Sequence, residues 1–216
     1  MAPKKLRLLL LFHHIIEMVF PEKCIGCGRN IHIEKYCFCN DCLAHLVPAS
    51  QSSNHIFSLT VYNDPVQKAI HTFKYERKKW LGKIFAQWMH DFLVAHPDIE
   101  FDFIIPVPLH PIREFHRSFN QSWLIAYHLG KLRKKPAMSN VLIKTRNNKS
   151  QTGLDSIERK QNVKAAYRVK KPSLVKNSSI LVIDDVYTTG ATAEEIYRTL
   201  KNSGAKTVYI LTIAKA

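Results

Sequence analysis

The chain has 216 residues and is strongly basic, with 32 lysine and arginine residues against 17 acidic residues and a net charge of +15. This length is sufficient for one full α/β domain and a small appended module. The charge indicates an anionic partner, either nucleic acid or an anionic surface, since a phosphate pocket needs only a few cations. A generally basic proteome is the alternative, and the short basic clusters define no single patch.

The N-terminal segment imitates a signal peptide, because three basic residues precede the apolar run of residues 8–12. Histidines and a glutamate then interrupt the run, no small-residue cleavage site follows, and the run is too short to span a bilayer. Apolar residues at helical spacing predict instead an amphipathic helix that ends before Pro21. This helix either packs on the core or touches a membrane surface.

All five cysteines lie in one short stretch. Cys24 and Cys27 form one CxxC pair, and Cys39 and Cys42 form a second pair after an interval of eleven residues. Two such pairs can place four thiolates around one tetrahedral ion, which predicts a structural zinc site.

Other ligand sets remain open for this site. Cys37 could replace Cys39 as a ligand, and His32 or His45 could complete a mixed site. Disulfide bonds are the competing interpretation, but the rest of the chain holds no cysteine to pair with this stretch. The polar residues 48–54 predict a linker, so we expect an N-terminal module over residues 1–47 and a larger domain over residues 54–216.

In the larger domain, strands and helices alternate. We predict strands at residues 55–62, 101–107, 141–144, 165–169, 180–183 and 207–213, and helices at 66–75, 80–95, 119–132 and 193–202. This order indicates an α/β fold, a parallel sheet with helices on both faces.

The most informative segment is ILVIDDVYTTGAT, residues 180–192. An apolar run typical of a buried parallel strand ends at Asp184 and Asp185. A turn rich in hydroxyl groups and a glycine follows, where N–H groups and the next helix N-terminus favour phosphate. As the alternative, Thr192 and Glu195 fit a capping box that serves only the helix. P-loop and dinucleotide-binding patterns are absent from the sequence.

The run DDVYTTGAT resembles the phosphoribosyl pyrophosphate (PRPP) motif of the type I phosphoribosyltransferases. The resemblance implies that Asp184 and Asp185 hold the ribose 2′ and 3′ hydroxyls. It also implies that the turn holds the 5′-phosphate through Thr188, Thr189, Gly190, Ala191 and Thr192. These residue types fit, because carboxylates accept hydrogen bonds from hydroxyls, whereas a carboxylate beside the phosphate would repel it.

Two loops and a lysine are further candidates for contact with pyrophosphate or a phosphate ester. In phosphoribosyltransferases, the loop after the strand that corresponds to residues 101–107 of this chain holds pyrophosphate. Guanidinium and amide donors suit that ligand. A long polar stretch at residues 145–162 is typical of a mobile loop that closes over a ligand, or of a plain exposed loop. The candidates are Lys74, Arg117, Asn120, Gln121, Arg146, Gln151 and Arg159. For Asn120 and Gln121 the alternative is helix capping, and for Lys74 it is a solvated charge.

The whole chain resembles the ComF family of competence-associated, phosphoribosyltransferase-like proteins. PEKCIGCG and CNDCL resemble its zinc ribbon, PVPLH with HRSFNQ its RGFNQ segment, and SQTGLDSIERKQNV a further family stretch. Ser118 departs from the pattern, since the family usually has glycine there.

The resemblance implies a cytoplasmic protein of natural transformation that binds PRPP with Mg²⁺ and handles incoming single-stranded DNA. A helicase-like competence partner and a peripheral contact with the inner-membrane uptake machinery are the further partners it implies. Two other functions stay open. One is an active phosphoribosyltransferase of nucleotide metabolism with Asp184 and Asp185 as catalytic residues, and the other is a PRPP sensor without chemistry.

Overall fold

The computed structural model describes residues 23–31, 37–76, 78–110, 112, 114–115, 118–145 and 165–216. The predicted N-terminal helix lies outside these ranges. The strands are β1 (Ile56–Val61), β2 (Phe103–Pro106), β3 (Leu142–Lys144), β4 (Tyr167–Val169), β5 (Ser179–Tyr187) and β6 (Thr207–Lys215). The helices are α1 (Asn40–Ala44), α2 (Asp64–Tyr75), α3 (Leu81–Ala95), α4 (Gln121–Arg133), α5 (Pro172–Val175) and α6 (Ala191–Asn202).

The main sheet has four strands in the order β1-β6-β5-β2, and every neighbouring pair is parallel. β3 and β4 form a separate antiparallel pair. Because all four strands run in the same direction, their carboxyl ends meet at one edge of the sheet, where α/β proteins bind ligands.

Both faces of the main sheet are buried, because alternate side chains of each strand point to opposite sides. In β5, Leu181 and Ile183 pack into the apolar cluster that also contains side chains of α2, α3 and α4. Ile180 and Val182 pack into a second cluster with α6 and the β3–β4 pair. The predicted parallel sheet with helices on both faces is therefore confirmed.

β5 is longer than predicted. The sequence suggested an end at Asp184, but the strand continues to Tyr187 because β6 is also long and pairs with it as far as Lys215. β2 stops earlier, at Pro106, which pairs with Ile183. β5 therefore extends past its β2 neighbour, and its last residues have a strand on one side only. The short helices α1 and α5 were not predicted.

The cysteine-rich segment packs against α2 and α3. Phe38 stacks on Trp88 with ring centroids 5.6 Å apart, and Cys24 and Cys42 are buried in the same apolar cluster. A Cβ atom on Gly26 would lie 2.9 Å from the Cβ of Pro65, so this close approach requires glycine. The domain boundary near residues 47–54 stays a prediction. In the described part of the chain no helix has the length and apolar character needed to cross a membrane.

Candidate functional site

A cavity of about 350 Å³ opens at the carboxyl edge of the main sheet. It lies beside the part of β5 that extends past β2, so Asp184 and Asp185 both line it. The walls come from α2, the loop after β2, the start of α4, the β3–β4 pair and the turn after β5. The structure thus brings together at one place segments that are far apart in the sequence.

The two carboxylates are held by different partners. Asp184 Oδ1 accepts hydrogen bonds from Ser122 Oγ at 3.1 Å and from the Asp185 N–H at 2.9 Å. Asp185 Oδ1 accepts from the ammonium of Lys74 at 2.8 Å. Within the described residues the second oxygen of each carboxylate has no hydrogen-bond partner. Each acid therefore keeps one oxygen to accept a bond from a ligand hydroxyl.

The pKa of Asp184 is raised from its ordinary value of 3.8 to about 7. Burial is the main cause, since it disfavours the charged form, and the neighbouring charge of Asp185 acts in the same direction. The Asp185 N–H, Lys74 and Ser122 oppose this rise. Adjacent carboxylates in a partly buried cavity are costly to ionise together, and such arrangements concentrate at functional sites.

Lys74 is not the solvated charge that its sequence context favoured. Its side chain is 17% exposed, and its ammonium forms an ion pair with Asp185, whose side chain is 12% exposed. Lys74 lies in the last turn of α2, and its partner is 111 positions away in the sequence. The ion pair offsets one of the two negative charges in the cavity.

The turn between β5 and α6 has the geometry of an anion site. Gly190 has φ +78° and is the N-cap of α6. Gly190, Thr192 and Ala193 line the same cavity as the carboxylates, so the N-terminus of α6 borders it. A Cβ on Gly190 would lie 2.5 Å from the hydroxyl of Tyr187. Both the backbone conformation and this contact therefore require glycine.

The capping box considered for Thr192 does not form, because α6 begins at Ala191 with no side-chain cap. Glu195 instead accepts a hydrogen bond from the Ala165 N–H at 2.7 Å. Thr188, Gly190 and Thr192 line the cavity, whereas Thr189 and Ala191 belong to the same turn without lining it.

Asn120 and Gln121 have different environments. Asn120 caps α4 by accepting from the Trp123 N–H, and its amide group donates to the Val107 carbonyl at 3.1 Å. Gln121 is buried and lines the cavity. The candidates Arg117, Arg146, Gln151 and Arg159 lie outside the described residues. Their assignments, like the other ligand contacts, stay predictions.

Several residues of the cavity were missed from the sequence. Ser122 holds Asp184, and Tyr187 covers Gly190. Lys144 and Tyr167 face each other across the β3–β4 pair, with the ammonium 5.5 Å from the ring centroid, and both line the cavity. In the sequence, Lys144 ends one predicted strand and Tyr167 lies in the middle of another, and neither position reveals the pairing of β3 with β4.

Ser118 has φ +65°, a left-handed conformation that glycine adopts without strain. This positive φ explains why glycine suits this position in the family that the sequence resembles.

The thiols of Cys24, Cys27, Cys39 and Cys42 converge, with all four sulfur atoms within 4.8 Å of one another. The Cys27 and Cys39 sulfurs are 3.7 Å apart, and ligands on a tetrahedral zinc ion would be about 3.8 Å apart. The four thiols can therefore hold one metal ion. Among the described residues Cys37 is not part of this group.

The thiol pKa values differ within this cluster. Burial raises the pKa of Cys24, but hydrogen bonds from the backbone of Cys39, Cys27 and Gly26 outweigh it, and the pKa is about 6. Burial and the neighbouring thiols raise the pKa of Cys42. Backbone N–H groups directed at a sulfur favour the thiolate, the form that binds metal.

Comparison with known proteins agrees with this arrangement. Residues 129–216 match the phosphoribosyl transferase domain family. Competence protein F of Haemophilus influenzae is 25% identical over 91% of this chain and 98% of its own length. The DNA utilization protein YhgH of Salmonella typhi is 30% identical over 80% of this chain and 75% of its own. Competence protein ComFC of Streptococcus pneumoniae is 25% identical over 92% of this chain and 83% of its own length.

Among solved structures, a glutamine PRPP amidotransferase from B. subtilis is 20% identical with a TM-score of 0.39. This likeness covers 69% of the chain but only 27% of that structure.

The parallel sheet, the carboxylate pair at its carboxyl edge and the matched domain define a phosphoribosyltransferase-like protein with an N-terminal cysteine cluster. The similarity to YhgH and the competence proteins extends over most of the chain. The chain belongs to the ComF family.

Proposed function

We propose that this protein binds PRPP at the carboxyl edge of its sheet, holds a structural zinc ion in its cysteine cluster, and acts on incoming single-stranded DNA in natural transformation. The observation that carries the PRPP proposal is the carboxylate pair beside a turn that lacks acidic residues. Asp184 and Asp185 each keep an oxygen for a ribose hydroxyl, and residues 188–192 can receive the 5′-phosphate at the α6 N-terminus.

The charges of the cavity support an anionic ligand. Lys74 offsets the charge of Asp185, so the cavity does not present two uncompensated carboxylates to a polyphosphate. Mg²⁺ would bind together with PRPP at the carboxylate pair, since it prefers oxygen ligands, and would neutralise the pyrophosphate.

The role in transformation is supported by the relatives, which are named for competence and for DNA utilization. The net charge of +15 suits a partner with a phosphate backbone. The cysteine cluster has the sulfur spacing that a structural zinc ion needs, and we propose zinc because its four ligands are thiols.

Calorimetric titration with PRPP and Mg²⁺ tests the proposal. The double substitution Asp184→Ala and Asp185→Ala should weaken binding at least about 100-fold, because two charged hydrogen-bond acceptors are each worth about 1.5 to 3 kcal/mol. The control is Asp64→Asn, which also removes a lysine-paired carboxylate but lies on an exposed face of α2. Normal PRPP binding by the double variant, or equal loss in the control, would overturn the assignment.

An active phosphoribosyltransferase is the second candidate, and one observation favours it. The cavity is within the usual size range of ligand pockets, and apolar side chains of Val107, Leu109 and Val182 line part of it, where a planar base would fit. Pyrophosphate release from PRPP with a panel of bases tests this function. Release at background level with every base would leave a binding protein without transferase activity.

A further inference from the structure

A basic surface lies at the amino-terminal edge of the main sheet, opposite the carboxylate pair. β2, β5 and β6 begin there side by side, since Phe103 pairs with Ile180 and Ser179 pairs with Thr207. Segments around these strand starts carry six basic residues, which we call the basic edge: Arg133, Lys134, Lys135, Lys176, Lys201 and Lys206. In the sequence these residues are scattered over three separate regions.

Backbone hydrogen bonds hold these regions together. The Lys206 N–H donates to the Ser178 carbonyl at 2.9 Å, which brings the start of β6 against the segment before β5. The Ile104 N–H donates to the Pro136 carbonyl at 2.9 Å, which places the segment after α4 beside β2. The six basic residues are therefore gathered by the fold rather than by sequence proximity.

A groove of about 740 Å³ runs along this edge. Arg133, Lys135 and Lys206 line it. Apolar residues between positions 93 and 101 also line it; Val94 and Pro97 are exposed there, whereas Leu93, Ile99 and Phe101 are buried. A groove with basic residues and exposed apolar side chains offers both phosphate contacts and a small surface for bases.

The six basic residues of this edge outnumber the two acidic residues that line the groove. Glu100 and Asp102 are the acidic residues that line the groove, and the Asp102 carboxylate accepts the Ser179 N–H at 2.7 Å. Within the described part of the chain no ion pair engages any of the six basic side chains.

On the surface of α2 and α3, in contrast, some lysines form ion pairs with acidic side chains. Lys68 pairs with Asp64 and Lys78 pairs with Glu76, and the thiols of the cysteine cluster lie close by. A lysine that is paired with an acidic side chain adds less to the attraction of a polyanion, because its charge is already offset by that of its partner. The basic edge is therefore the stronger candidate of the two surfaces for phosphate binding.

We propose that the basic edge binds the phosphate backbone of single-stranded DNA, at a site separate from the PRPP cavity. The choice of single-stranded DNA rests on the proposed function, whereas the location rests on the charges and the groove. A flexible strand can enter a concave groove and lay a base on the exposed Val94 and Pro97, whereas a flat anionic membrane reaches only the rim. Because the two sites lie at opposite ends of the strands, DNA and PRPP should bind independently.

The test is anisotropy of a fluorescein-labelled oligothymidylate over a series of salt concentrations. The variant carries Lys134→Gln, Lys135→Gln, Lys176→Gln and Lys206→Gln. Each phosphate contact on a single strand contributes about 0.7 to the slope of log affinity against log salt, so the slope should fall by about 3. At low salt the affinity should fall at least about tenfold.

The matched control makes the same change in charge on the other surface, with Lys68→Gln, Lys78→Gln, Lys79→Gln and Lys83→Gln. It should keep most of the DNA affinity. Both variants should keep the wild-type melting temperature and PRPP affinity, which shows that they are folded and that the cavity is intact.

Each outcome decides the matter. If the basic-edge variant binds DNA as tightly as the wild-type protein does, the proposed location of the DNA site is wrong, while the proposed function still stands. Equal losses in both variants would also overturn it, because they would indicate a general charge effect. Wild-type protein that binds vesicles of anionic phospholipid but no oligonucleotide would overturn the choice of nucleic acid. Loss of PRPP binding in the Asp184 and Asp185 variant, without change in DNA binding, supports two separate sites.

Discussion

Replacing Asp184 by asparagine should stabilise the protein at high pH. The pKa of Asp184 is about 7 in the folded protein, against about 3.8 as its ordinary value. The folded state holds this proton more tightly, so the free energy of unfolding falls as pH rises from about 4 to 7 and stays lowered above that. Asparagine keeps the shape of the side chain and can still accept from Ser122, but it carries no charge.

The magnitude follows from the difference in pKa. At about 1.4 kcal/mol per pH unit, ionising Asp184 in the folded state costs at most about 4 kcal/mol above pH 7. Solvent reaches the cavity and screens part of this cost, so we expect a gain of about 2 to 4 kcal/mol for the variant at pH 8. For a protein of this size that corresponds to a rise in melting temperature of about 5 to 12 °C.

Thermal unfolding followed by circular dichroism between pH 5 and pH 8 measures this effect. The gain of Asp184→Asn should be only about a third of its full size at pH 5 and should grow toward pH 8. Ser122→Ala removes a hydrogen bond to the carboxylate and should act in the opposite direction, with a loss of about 1 kcal/mol. A variant gain that is equal at all pH values, or a loss at pH 8, would refute the reasoning.

Three further predictions concern the turn, the loop after β2 and the metal site. Gly190→Ala should lower the free energy of unfolding, measured in urea, by about 2 to 4 kcal/mol, because of the positive φ and the contact with Tyr187. Adding Tyr187→Ala should recover part of that loss. Equal losses with and without Tyr187 would contradict the contact. Ser118→Gly should raise the free energy of unfolding by about 0.5 to 1 kcal/mol in the same assay, since the φ of Ser118 is +65°. A destabilised variant would contradict this conformation. By atomic absorption, Cys37→Ser should retain zinc and Cys42→Ser should lose it; zinc loss in Cys37→Ser would show that the ligand set is wrong.

The features that could be predicted from the sequence depend on short-range patterns. The apolar run before Asp184 is typical of a strand buried on both faces, and the cysteine spacing is typical of a metal site. The strands and helices alternate in the sequence as they do in the fold, so the parallel sheet could be inferred from their order.

The features that could not be predicted depend on contacts between distant segments. Ser122 and Asp184 are 62 positions apart, and Lys74 and Asp185 are 111 positions apart. The end of β5 is set by its pairing with β6, which no local pattern reveals. The basic edge is another case, because its charges are separated in the sequence and meet only where three strands begin side by side.

The central claim is that the carboxylate pair and the turn after β5 hold PRPP. The most direct measurement is a crystal structure of the protein soaked with PRPP and Mg²⁺. We predict density for the ribose hydroxyls at Asp184 and Asp185 and for the 5′-phosphate at residues 188–192. Density for PRPP at another place on the protein, or an unchanged cavity at a saturating concentration, would contradict the claim.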